Sequence, residues 1–169
     1  MLIAHLPAGF IVGRFAKGRT SAPGMVPAAM IGSIVPDLDI FYFYLFNSRI
    51  HHHAFFMHWP LFWLVLAAIT LALIAGIDRR WLPAGFIFFF ATLLHMVMDT
   101  VAAPLFWLAP FSSRAFQMVE VPANYSHWII SFMLHWTFLL ELTICAVALA
   151  FFLMDRHRHR QVGEPSGPS

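Results

Sequence analysis

Between Phe86 and Thr100 the chain reads as a membrane-crossing helix, yet His95 and Asp99 lie inside it four residues apart. At 100° per residue these two sit about 40° apart on one helix face, with Thr92 about 20° beyond Asp99. An imidazole and a carboxylate so placed can share a metal ion, as the two histidines of H-E-x-x-H do. A carboxylate at membrane depth costs about 3 kcal/mol on insertion scales. Partners are therefore expected elsewhere in the chain.

Several segments offer them. Residues 33–39 read Ser-Ile-Val-Pro-Asp-Leu-Asp, so Asp37 and Asp39 follow Pro36 in the middle of an apolar stretch. A proline there predicts a broken helix, and irregular backbone at membrane depth is tolerated where protein or a polar cavity surrounds it. The polar stretch from Asn47 holds Arg49, His51, His52, His53 and His58. His53 and His58, five residues apart at the mouth of the next helix, are the candidates; His51 is given no role. His5 lies in the first apolar segment. On a continuous helix from His127 to Met154, Ser131, His135 and Glu141 would share with His127 a stripe roughly 120° wide, turned to a polar interior. For His135 and Glu141 the plain reading is a hydrogen bond to a neighbouring helix, at about 1 kcal/mol each. His157 and His159 alternate with arginines and read as part of a basic anchor.

Imidazole and carboxylate without thiolate suit Zn²⁺, Mn²⁺, Fe or Ni, with zinc first among them. The number of candidate ligands leaves room for one ion or two. A Ser–His–Asp hydrolase is disfavoured because no G-x-S-x-G occurs. Cys145, the single cysteine, excludes a disulfide framework and reads as a small packed hydrophobe.

The elements that must position these residues follow from composition. Of 169 residues, 60% are hydrophobic and 11% charged, and the mean hydropathy is +0.75. Soluble chains run near 25% charged, so the expectation is an all-α integral membrane bundle of about four spans plus a short N-terminal helix. Residues 2–16 are too short to span comfortably. Longer runs follow over 24–46, 59–76, 83–102 and 127–154, which makes 1–154 one membrane-embedded domain and 155–169 a basic, disordered tail. The first apolar stretch is followed, not preceded, by basic residues, so a cleaved signal peptide is not expected. Placing 14–22, 77–82 and 155–169 on one side collects eight Arg/Lys there, against Arg49 and Arg114 on the other. That bias predicts a multi-pass protein with a cytoplasmic C-terminus. The net charge of +2 reports this topology and implies no nucleic-acid partner.

With these residues in view, the chain resembles the family of inner-membrane-associated metal-dependent hydrolases, also described as LexA-binding. The resemblance runs from about His5 to Glu141. It rests on His5-Leu-Pro-Ala-Gly, on Gly32 through Asp39, on the loop ending in His53 and His58, and on His95 through Asp99 followed by Pro110-Phe111-Ser112. It implies a helical inner-membrane protein with a His/Asp metal centre and a hydrolytic role. On that footing the expected ligands of a divalent transition metal are His53, His58, His95, Asp99 and Asp37. His127, Asp39 and His5 are expected to orient ligands or move protons. The substrate class would be a lipid-like or amphiphilic ester or phosphoester. Arg114 is either a head-group contact or an interfacial anchor. The alternative is a membrane protein that transports or senses metal or protons, which needs ionisable residues through the full depth of the bundle.

Overall fold

The computed structural model describes residues 3–45 and 52–163. Arg49 and His51, and the last six residues of the expected tail, lie outside the described residues. Seven α-helices occur among those described: α1 (His5–Lys17), α2 (Met25–Gly32), α3 (Asp39–Leu45), α4 (Pro60–Ile77), α5 (Leu82–Thr100), α6 (Trp128–Met133) and α7 (Phe138–Gly163). Three helices are long and apolar enough to cross a membrane, and a fourth crossing is available if the bent pair 25–32 and 35–45 counts as one. The fold is all-α, and no sheet is present among the described residues.

The centre of the bundle is α2, held between α1 and α5 by small residues. A Cβ at Gly13 would lie 2.7 Å from the Cα of Val26, and one at Gly32 would collide with the Phe88 carbonyl. Backbones this close are how membrane helices gain packing where lipid offers no hydrophobic drive. Most of the large side chains of α4 and α7 are outward and apolar, as lipid contact requires.

The break after α2 has a local cause. Pro36 lacks the N–H that would bond the Gly32 carbonyl four residues back. The chain instead bends by 45° through a 3-10 turn at Val35–Leu38. The freed Gly32 carbonyl accepts from the Thr92 hydroxyl at 3.1 Å, and the Ser33 carbonyl meets His95 Nδ1 at 2.7 Å. The polar face of α5 thus satisfies backbone groups that the proline leaves behind.

Two tryptophans fix the histidine-bearing turns before α4. Trp59 Nε1 donates to the Ala54 carbonyl at 3.1 Å, and Trp63 Nε1 to the Met57 carbonyl at 2.6 Å. Trp63 is itself buried in the main core with Phe89, Met96 and Leu105. Leu105 belongs to the irregular return 101–127, whose Met118 N–H bonds the Thr100 carbonyl at 2.8 Å.

Two expectations are corrected at the C-terminal end. The stretch 127–154 is not one helix: α6 ends at Met133, and a turn at 134–137 separates it from α7. There His135 Nδ1 lies 2.9 Å from the Thr137 hydroxyl, local bonding of the kind that competes with the helical ladder. The stripe shared by His127, His135 and Glu141 therefore does not exist. Nor does order stop at residue 155, because α7 continues to Gly163. Asp155 accepts from Arg14 Nε and a terminal guanidinium nitrogen at 2.7 and 2.9 Å, which ties the far end of α7 to α1.

Candidate metal centre

Asp37, His58, His95 and Asp99 each place one donor atom within 4.8 Å of all the others. They come from the 3-10 turn after α2, the turn before α4, and the last two turns of α5. His58, His95 and Asp99 are all but sealed from solvent, whereas the Asp37 side chain is 35% exposed.

The spacing fits a single cation. His95 Nε2 lies 3.0 Å from Asp99 Oδ2, 3.4 Å from His58 Nε2 and 3.5 Å from Asp37 Oδ1. His58 Nε2 lies 3.6 Å from Asp99 Oδ2 and 3.8 Å from Asp37 Oδ1. A tetrahedron of N and O ligands at about 2.0–2.1 Å from an ion has edges of roughly 3.3–3.4 Å. These five of the six edges scatter around that value, and the sixth lies within 4.8 Å.

The ring orientations fit as well. His95 Nδ1 faces the Ser33 carbonyl, which can only accept, so Nδ1 carries a proton and donates. His58 Nδ1 faces Asp39 Oδ2 at 2.6 Å and donates likewise. Both imidazoles are thereby turned so that Nε2 points to the cluster. A ligand histidine whose other nitrogen donates to a carboxylate or carbonyl is the usual arrangement at metal sites. Burial alone would lower the His58 imidazole, but its interactions with Asp39 and Asp99 raise it to about 9.

The other expected residues divide. His5 Nε2 lies 3.0 Å from Asp99 Oδ1, and its ring stacks on His95 with centroids 3.8 Å apart. Asp39 holds His58 and does not face the cluster directly. His53 is buried at its edge, with Nε2 3.5 Å from Asp99 Oδ2, outside the group of four. His127 is not brought here. It is exposed, its Nδ1 accepts from Ile129 N–H at the start of α6, and its ring stacks on Trp128. Arg114 lies over the Phe116 ring at 5.3 Å, in the return segment. Sequence reasoning missed the Ser33 carbonyl, which has no side-chain signature, while Glu141 makes the hydrogen bond to a neighbouring helix that its plain reading expects.

The family model of the YdjM inner membrane protein matches residues 1–159. This chain belongs to that family. Its members are inner membrane proteins by description, in keeping with the apolar helices seen here. No curated protein and no solved structure matches the chain.

Proposed function

We propose that this YdjM family member is a membrane-embedded metal-dependent hydrolase acting on a lipid-like or amphiphilic ester or phosphoester. The observation that carries the reading is the buried His58–His95–Asp99 group, with Asp37 as its fourth and partly exposed member. A divalent transition metal held there, zinc first among the candidates, would activate water and polarise the scissile group. His58 and His95 would supply Nε2, each held by its Nδ1 bond to Asp39 or Ser33. His5 would orient Asp99 from the opposite oxygen, and His53 would stand by to move a proton. The exposed edge at Asp37 is where substrate would enter. Catalytic zinc sites hold three protein ligands and leave a position to water or substrate, so Asp37, the exposed donor, would be the one to give way there.

The distribution of ionisable groups favours this over a transport path. Among the described residues, those buried are His5, Asp39, His53, His58, His95, Asp99 and Glu141. All gather at the end of the bundle opposite Arg14, Arg79 and Arg80. A conducting path would need such groups through the other half as well. The test is hydrolysis of chromogenic fatty-acyl esters and phosphodiesters by protein in detergent. Activity should vanish with chelator, return with Zn²⁺ or Mn²⁺, and be absent in His95→Ala. Turnover indifferent to chelator would overturn the reading.

A further inference from the structure

The structure contains a buried carboxylate that the proposed chemistry does not use. Glu141 is fully buried near the start of α7, a helix that otherwise faces mostly outward. Its Oε2 accepts from the backbone N–H groups of Ile3 and Ala4, at 2.5 and 3.1 Å. Ala4 is the N-cap of α1 and offers no side-chain cap of its own. The first amides of a helix lack partners within it and carry its partial positive charge. A carboxylate from α7 supplies here what the local sequence does not.

The next residue along is His5, which stacks on His95 and bonds Asp99. We propose that Glu141 is a positioning residue of the metal centre, holding the start of α1 so that His5 meets Asp99. The inference rests on the metal-centre reading above. Two further observations support it. An apolar cluster of Ala4, Ala8 and Met98, flanked by Leu94 and Ile144, packs at the contact, and the Ala4–Glu141 bond is buried. The other end of α1 is clipped to the same helix through Arg14 and Asp155. That second clip keeps α1 running along α7, whereas the place of His5, nine residues from Arg14, is set by the Glu141 contact beside it.

The test loads purified protein with Co²⁺, reading affinity by chelator competition and ligand geometry by the visible d–d bands. Glu141→Met removes the acceptor at similar volume and without burying a charge. It should weaken Co²⁺ roughly tenfold and alter the bands, as loss of an outer-shell partner does. Glu141→Gln, which keeps one acceptor oxygen, should fall between. His5→Ala should match Glu141→Met, and the double variant should lose no more than His5→Ala alone, because the two act in series. Arg14→Ala loosens α1 at its other end and should leave the bands unchanged. A wild-type spectrum in Glu141→Met, losses that multiply in the double variant, or an Arg14→Ala effect equal to that of Glu141→Met would each overturn the proposal. Wild-type protein that takes up no Co²⁺ would overturn the metal centre itself, and this inference with it.

Discussion

Asp39 Oδ2 stands 2.6 Å from His58 Nδ1, with the two groups 19 residues apart in the chain and both buried. The proline-broken segment supplies the carboxylate and the tryptophan-pinned turn supplies the ring. Their contact decides which nitrogen of His58 faces Asp37, His95 and Asp99. Removing the carboxylate leaves the ring free to turn.

Asp39→Ala is therefore expected to lower metal affinity by about 10- to 100-fold, the usual cost of deleting the partner of a ligand histidine. The protein should still insert, since a buried charge is removed rather than added. Chelator competition on the purified variant measures this. Wild-type affinity would show that Asp39 does not orient the ring.

Metal uptake should be coupled to proton release. The folded value of His58, about 9, lies above the ordinary imidazole value near 6.5. In metal-free protein the proton on His58 thus contributes stability that is fully present below about 6.5 and is lost as pH rises through about 9. A cation needs the neutral ring, so it must displace that proton. Affinity should rise across this window, and binding near pH 7.5 should release close to one proton. Calorimetry in buffers of different ionisation enthalpy reads it directly. Heats that do not depend on the buffer would contradict the expectation.

Much of the site was legible because it depends on local rules. Thr92, His95 and Asp99 share a face by the period of one regular helix, and Pro36 announces the break that carries Asp37 and Asp39. His127 was misplaced because its stripe assumed an unbroken helix. The turn at His135–Thr137 is made by side-chain and backbone bonds that hydropathy does not register. The ordered helix through Asp155 was missed for a related reason: its anchor is Arg14, 141 residues away. For Glu141 the expected hydrogen bond to a neighbouring helix is there, but its partners, the backbone amides of Ile3 and Ala4 leading into α1, leave no mark in the sequence.

By the positive-inside rule, the eight-to-two charge asymmetry predicts that the basic end lies in the cytoplasm and the His/Asp cluster toward the outer face. On a Cys145→Ala background, a new cysteine at Ser113 should react with an impermeant maleimide in intact cells, and one at Gln161 should not. Both positions are exposed on the protein surface. Labelling at Gln161 with protection at Ser113 would invert the orientation and turn the cluster to the cytoplasm.

The central claim is that His58, His95, Asp99 and Asp37 hold a metal ion, and elemental analysis of purified, monodisperse protein tests it most directly. Wild-type protein should carry about one equivalent of a divalent transition metal per chain, as tight His/carboxylate coordination implies. His95→Ala and Asp99→Asn should each lose most of it while remaining inserted and monodisperse. Metal-free wild-type protein that takes up none on incubation with Zn²⁺, Mn²⁺ or Fe²⁺, or undiminished content in both variants, would contradict the claim.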